Sequence, residues 1–438
     1  MPQFIDQPRH VCALGALQSV LAIERAIPIL HAGPGCGQKL WGALALDNGC
    51  QGSGYAGGHI VPCTNISEKE VVFGGEERLQ QVVENALKVI DAELFVVLTG
   101  CTAEIVGDDA AEIVRRFQEQ GKPVVHVETG GFKGTNLIGH ELVVSALIDQ
   151  YLEPPAETEK GLVNIWSVVP FQDAFWTGNL KSIERLIADL GLTPNIVFGP
   201  GNGVRSLQKI PKAEFNLLIS PWTGLTNVRH LEEKFGTPYL HYPVLPIGPT
   251  ETGKFLRAVS DFAGLPRQKT ETLINRYEAE YYYYIERSAD VLLETRLLPR
   301  WFVTVSDSFY TLGIAKFLTN DMGLLPETQY ITDGVEPEYQ ELIEQEFQKL
   351  NGGITARVDF INDGGTVQEN IRSVKFRGRP LLLGSSWERT LAEDINAYQL
   401  SISMPVSDRM VLNRSYVGYD GALRLVEDIY TLVLDEFQ

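Results

Sequence analysis

The sequence predicts an α/β fold: three Rossmann-like domains built on mainly parallel sheets. Three observations predict it. Short apolar runs end in glycine-rich turns and lead into helices with one apolar face, and this unit recurs along the chain. The 438 residues are too many for a single core and suit about three domains of ordinary size. A hydrophobic content of 44% is that of a globular protein.

The elements follow in order. Ala26-Ile-Pro-Ile-Leu30 reads as a strand that ends at the turn His31-Ala-Gly-Pro-Gly-Cys-Gly-Gln38. Gly74-Gly75 introduces a helix over residues 76–91, with Leu79, Val82, Val83, Ala86, Leu87 and Ile90 at helical spacing. Glu76 and Glu77 suit its positive end. Leu94-Phe-Val-Val-Leu-Thr99 is a strand, followed by a turn carrying Cys101 and a helix to about residue 120. Pro123-Val-Val-His-Val127 is the next strand. Residues 151–160, with Pro154, Pro155 and several acids, form a linker. A second series then has strands at 163–169, 195–198 and 215–219 and a helix at 179–190. The second of these strands ends in Gly199-Pro-Gly-Asn-Gly203. A long helical stretch over 269–298 bridges two domains. A third series has strands at 301–305, 356–360 and 380–384 and closes on a helix at 422–436. The expected domains are 1–155, which carries the cysteines, then 156–295 and 296–438.

Composition excludes several classes. A net charge of −19 repels phosphate, which argues against a nucleic-acid partner. It suits a partner with a basic face. No apolar run reaches the ~18 residues that span a bilayer, and Met-Pro-Gln-Phe-Ile-Asp lacks a signal pattern. A cytoplasmic protein with no membrane partner is expected.

The five cysteines all fall within the first 101 residues. In a cytoplasmic chain they point to metal binding or inert burial rather than disulfides. A single buried cysteine is ordinary core filler, but the joint pattern is different. Cys12 precedes a helical run. Cys36 is flanked by Gly33, Gly35 and Gly37, and Cys101 by Gly100. The turns of Cys36 and Cys101 lie at the C-terminal ends of predicted parallel strands, where such sheets bind ligands. Soft thiolates suit iron, and glycine turns bring backbone amides close to a bulky group. The wide spacing excludes a CxxC zinc knuckle. Three thiolates leave a cubane-type cluster one ligand short, so a fourth residue or a second subunit completes it. Gly199-Pro-Gly-Asn-Gly203 is a weak phosphate-turn signal, since no Gly-Lys-Ser/Thr follows.

The landmarks are Cys12-Ala-Leu-Gly-Ala-Leu, His31-Ala-Gly-Pro-Gly-Cys36, Glu70-Val-Val-Phe-Gly-Gly75 and Gly100-Cys-Thr-Ala-Glu-Ile-Val-Gly-Asp-Asp109. A C-terminal segment has Asp408-Arg409 and Gly418-Tyr-Asp-Gly421. With these the chain resembles component 1 of nitrogenase and its relatives over nearly its whole length, most closely the β-type subunit. The resemblance implies that Cys12, Cys36 and Cys101 bind an iron–sulfur cluster shared with a homologous α-type subunit. That cluster is of the eight-iron P-cluster type, or a four-iron cluster as in the protochlorophyllide-reducing branch. It further implies an α2β2 heterotetramer and an ATP-dependent iron protein as electron donor. The α-type subunit holds its metal cofactor with a late cysteine and a later histidine. This chain has no cysteine after Cys101 and no histidine after His241, so it matches the electron-relaying subunit and no catalytic residue is assigned to it.

Several residues depart from the pattern of typical nitrogenase β subunits. The turn Ala32-Gly-Pro-Gly-Cys36 replaces the Gly-Ser-Gln-Gly-Cys of typical nitrogenase β subunits, and the long N-terminal arm is missing. Gly131 stands where some of those subunits carry a cluster-ligating serine. These departures argue against dinitrogen as the substrate, and the resemblance then implies a nitrogenase-like reductase, with methylthio-alkane reductase as the specific expectation. The alternatives are a cofactor-assembly scaffold (maturase) of the same family, a true nitrogenase β subunit, and a sugar- or nucleotide-binding protein with incidental cysteines. Glu70, Glu76 and Glu77 are candidates for an acidic docking face. His31 is either a donor to the cluster region or a satisfied core histidine. Cys50 and Cys63 are expected to be free thiols, and Tyr281 to Tyr284 to be packing or interface surface.

Overall fold

A computed structural model describes residues 5–37, 60–295 and 298–435. Three sheets form, as expected for the fold class, and every strand pairing in them is parallel among the described residues. The first has the order β1 (Ala26–His31), β2 (Leu94–Thr99), β3 (Val124–Glu128). The second has β4 (Glu159–Trp166) and β6 (Ala213–Ile219) at its centre, with β5 (Thr193–Asn195) and β7 (Tyr239–Tyr242) at its edges. The third is centred on β8 (Trp301–Ser306), with β9 (Leu325–Pro326), β10 (Gln329–Ile331) and β11 (Val358–Phe360) on one side. On the other are β12 (Leu381–Gly384) and β13 (Tyr398–Ser401).

The central strand β2 is buried at all of its positions. That is why it reads as a continuous apolar run rather than an alternating one. Residues 62–66 extend the first sheet along β1. Leu30 donates to the Pro62 carbonyl, and Thr64 and Ile66 donate to Leu30 and Ala32. One large apolar cluster runs through all three sheets and includes Leu94, Leu217 and Phe302. A second lies outside the first sheet, under the helices Glu76–Val89 and Ala110–Glu119. No helix among the described residues is long and apolar enough to cross a membrane.

Several elements depart from expectation. The helix that opens at Cys101 stops at Val106, where Gly107 takes a left-handed conformation at φ 86°. A second helix then starts at Ala110, with Asp109 accepting from the Glu112 amide at its N-terminus. The strand expected over 195–198 ends at Asn195. From there Ile196 to Phe198 leave the second sheet for the first domain. Phe198 packs on His140, and Gly199 donates to the Ala22 carbonyl. The glycine loop that follows is a splice and not a phosphate cradle. A Cβ on Gly203 would lie 2.3 Å from the Glu24 carbonyl, and only the four-residue helix Val204–Leu207 follows. The helix Arg267–Thr295 matches the long helical stretch. Tyr277 stacks on Tyr419, Tyr281 is buried beside it, and Tyr282, Tyr283 and Tyr284 stand half-exposed.

The N-terminal segment approaches its cysteine from the third sheet. Arg9 forms a buried ion pair with Glu388 and lies over the Trp387 ring. Gly364 donates to the Asp6 carbonyl. The chain then crosses to the first domain, where Cys12 bridges Thr135.

Candidate metal centre

The three singled-out cysteines sit on three separate local devices. Cys12 caps the 3-10 helix Ala13–Ala16. Its flanks are pinned by Ala13 donating to Gly134 and Asn136 donating to Val11. Cys36, expected in a turn, lies in the helical segment 34–37 that follows β1, its amide bonded to the Gly33 carbonyl. Cys101 is the first residue of the helix Cys101–Val106, directly after β2. Cys36 and Cys101 thus lie at the C-terminal ends of adjacent parallel strands, and Cys12 comes to them from outside the sheet.

Gly131 ties two of them together. A Cβ placed on it would lie 3.0 Å from the Cys101 sulfur and 3.5 Å from the Cys12 sulfur. Its own amide donates to Cys101 Sγ at 3.0 Å. Cys12 and Cys36 in turn line one small cavity with Leu14 and Gln18. Cys12 and Cys36 are half-buried and Cys101 is exposed, so the group opens on the molecular surface.

The glycine amide bonded to a cysteine sulfur is that of Gly131. The Gly100 N–H is used by the His31 carbonyl, and a Cβ there would strike Ala32 at 2.7 Å. Gly100 is therefore required by the close approach of β1 to the turn after β2. The amide at the sulfur belongs to Gly131, which the sequence marked only through a missing serine. Glu104 holds this loop in place. Its Oε1 accepts from Thr99 at 2.6 Å and from the Gly130 amide at 2.7 Å, and its Oε2 lies 3.4 Å from Lys133. The Cys-x-x-Glu spacing, one helical turn, was the signal for Glu104.

The two glycine-bearing motifs lock together beneath the site. Asp108 accepts from the Gly75 amide at 2.8 Å and contacts His31 Nε2 at 3.0 Å. A Cβ on Gly75 would lie 2.6 Å from the Asp108 carboxylate. His31 is fully buried, with its other nitrogen 3.2 Å from Thr64. Burial lowers its pKa and Asp108 acts against that. Both ring nitrogens are engaged, so His31 is a satisfied core histidine. Cys63 is a free thiol within reach of the Ala32 carbonyl at 3.4 Å, and burial raises its pKa. Cys50 lies outside the described residues.

Among the described residues no three His, Cys, Asp or Glu side chains are close enough to hold a single metal ion. A polynuclear cluster makes a different demand, because each thiolate binds its own iron and the sulfurs stand further apart. Thiol donors on separate turns, a glycine face that a Cβ would fill and an N–H aimed at sulfur all fit such a group.

Beside the site stands a feature that no periodicity in the sequence announces. The helix Glu68–Phe73 is closed by a capping box between Ser67 and Glu70. Hydrogen bonds from Ser67 pull the Glu70 carboxyl down to about 2. The helix touches Cys101–Val106. Val72, Phe73 and Ile105 on these two helices are 70%, 81% and 76% exposed. Glu70, Glu76 and Glu77 line the groove around this apolar tip.

A family profile described as nitrogenase component 1 type oxidoreductase matches residues 12–434. The nitrogenase molybdenum-iron protein beta chain of Methanococcus maripaludis is 24% identical, over 97% of this chain and 93% of its own length. A light-independent protochlorophyllide reductase chain of Synechococcus sp. (strain JA-3-3Ab) is 25% identical over 84% of this chain and 72% of its own. The solved structure of nitrogenase Cp1 at pH 6.5 superposes with a TM-score of 0.81 at 20% identity, covering 100% of this chain and 95% of that one.

Proposed function

The chain belongs to the nitrogenase component 1 type oxidoreductase family, and from that premise we propose that it is the β-type subunit of an ATP-dependent nitrogenase-like reductase. Cys12, Cys36 and Cys101 are its share of the ligands to an iron–sulfur cluster at the interface with a homologous α-type subunit in an α2β2 heterotetramer. The supporting observation is the approach of Cys12 and Cys101 to one glycine face that opens outward. A half-built site at the surface is what a shared cluster requires. We propose further that the complex is cytoplasmic and that the chain divides into domains at 1–155, 156–295 and 296–438.

Such a cluster, when bound, supplies one-electron storage at a potential set by its ligands, hydrogen bonds and burial. The chain's own residues do the rest. The three thiolates hold iron. The Gly131 amide donates to Cys101 and stabilises negative charge on sulfur. Glu104 fixes that amide by holding Gly130. The Val72–Phe73 tip and its acidic rim form the docking face for the iron protein, with Glu70, Glu76 and Glu77 steering a basic partner surface. The catalytic metal cofactor belongs to the α-type partner, since this chain has no late cysteine or histidine to hold it.

We infer methylthio-alkanes as the substrate class. Gly131, beside the sulfurs, has no side-chain oxygen to offer a cluster, which separates the chain from β subunits with a serine there. The test is an anaerobic assay of the co-purified complex with reduced iron protein and MgATP. Release of a thiol from a methylthio-alkane supports the assignment. Ammonia from dinitrogen would make it a true nitrogenase. Turnover of neither, with transfer of a metal cofactor to an apo-enzyme, would make it a maturase.

A further inference from the structure

A second cavity lies between the second and third sheets, reached on one side by His10 of the segment that leads to Cys12. A cavity of about 40 Å³ is lined by Ser167, Ser220, Asp307 and Asp333. These residues follow β4, β6, β8 and β10. It therefore sits at the C-terminal ends of parallel strands, where α/β sheets bind ligands. The space accommodates a few heavy atoms, since one water needs roughly 10–15 Å³ on this measure.

On the cavity side the hydrogen bonding is incomplete. Asp173 is fully used: it accepts from Tyr310 Oη at 2.6 Å, the Phe175 amide at 2.7 Å and Asn179 at 3.1 Å. Asp307 accepts from the Tyr310 amide at 2.9 Å and from Ser403 at 3.2 Å. Asp333 Oδ2 accepts from Ser308 Oγ at 2.6 Å and from the Ser308 amide and Trp222 Nε1 at 3.1 Å each. Asp333 Oδ1 has no partner, although the residue is only 3% exposed. Ser167 Oγ and His10 Nδ1, which also line the cavity, are likewise unpartnered. A buried carboxylate oxygen left unsatisfied costs free energy that a bound donor recovers.

We propose that this cavity is a binding site for a small organic ammonium compound, with Asp333 Oδ1, Ser167 and His10 accepting its N–H groups. Burial pushes the pKa of Asp173 and Asp307 up, which leaves Asp333 as the carboxylate with an open oxygen, and no lysine or arginine lines the cavity to meet it. A cation with separate N–H donors satisfies acceptors that are spread out. A bare metal ion does not, because no three acidic or imidazole ligands converge on one point among the described residues. Phe309 and Leu137 close the apolar side, which suits a short alkyl group. The proposal is independent of the cluster assignment.

The test uses the full chain with whatever partner co-purifies. Methylammonium and ethylammonium chloride are titrated by calorimetry and thermal shift, with tetramethylammonium, KCl, MgCl2 and MnCl2 as comparisons. The expected result is saturable stabilisation by the primary ammonium ions only. Asp333→Asn is expected to weaken binding at least tenfold and Ser167→Ala about threefold, with iron content unchanged in both. If Asp333→Asn does not fold, Ser167→Ala decides alone. No saturable binding of either amine, equal binding to the variants, or stabilisation by Mn2+ or Mg2+ in place of the amines would overturn the proposal.

Discussion

The backbone amide of Gly131 donates to the sulfur of Cys101 at 3.0 Å across a separation of thirty residues. The face of Gly131 that lacks a side chain also looks onto the Cys12 sulfur. One residue without a side chain thus sets how closely two turns approach. Gly131→Ala places a methyl group 3.0 Å from one sulfur and 3.2 Å from the Cys12 Cβ, tighter than ordinary packing. We expect iron retained per complex to fall by at least half, with the thermal midpoint within about 3 °C of the parent. Iron analysis and calorimetry on one preparation check both halves.

Glu104 carries the loop. Glu104→Ala leaves the Gly130 amide without its acceptor and the Thr99 hydroxyl with only the Val127 carbonyl at 3.4 Å, at a cost of about 1–3 kcal/mol. Urea denaturation reads the loss. Hydrogen exchange is expected to speed up at Gly130 and Gly131 while the β2 amides stay protected. Unchanged exchange in the loop would remove the positioning role.

Phe73 stands in solvent at the tip of its helix, so Phe73→Ala is expected to change stability by no more than about 0.5 kcal/mol. If the tip docks the iron protein, the concentration of that protein giving half-maximal turnover rises at least tenfold, and the maximal rate is largely kept. Steady-state assays with the iron protein as the varied component distinguish this from a folding defect.

Asp307 makes stability depend on pH. Burial, then the charges of Asp333 and Asp173, push its pKa up from 3.8 to about 7. Between those values the folded chain binds a proton that the unfolded chain has released. Its contribution is therefore full below about pH 4 and falls away as pH rises towards 7. Asp307→Asn removes that titration. The stability of the variant relative to the parent is expected to rise on the order of 2 kcal/mol between pH 5 and pH 7.5. Calorimetric scans across that range give the slope.

The βα grammar was legible because each unit is local. An apolar run such as Leu94 to Thr99 and a glycine turn identify a strand and its exit without knowledge of any neighbour. The breaks were not legible. Gly107 and Asp109 end one helix and begin another, and the Gly-Asp-Asp motif shows this only once Asp108 is seen to be drawn to His31 and Gly75. The strand expected at 195–198 falls short because its apolar residues serve an interdomain contact and not a sheet. The cysteine site was legible in part. Glycine beside cysteine singled out the segments of Cys36 and Cys101, but Gly131 and Glu104 act across space through hydrogen bonds that leave no periodic trace. The acidic cavity was invisible for the same reason: His10, Asp173, Asp307 and Asp333 come from four distant segments.

The central claim is that three thiolates of this chain hold iron against a sister polypeptide. The most direct measurement is iron and acid-labile sulfide per complex after anaerobic co-purification, for the parent and for Cys12→Ala, Cys36→Ala, Cys101→Ala and Cys63→Ala. The account predicts a brown parent complex, loss of most interface iron in each of the first three variants, and no change for Cys63→Ala. Iron content unchanged in the first three would contradict it.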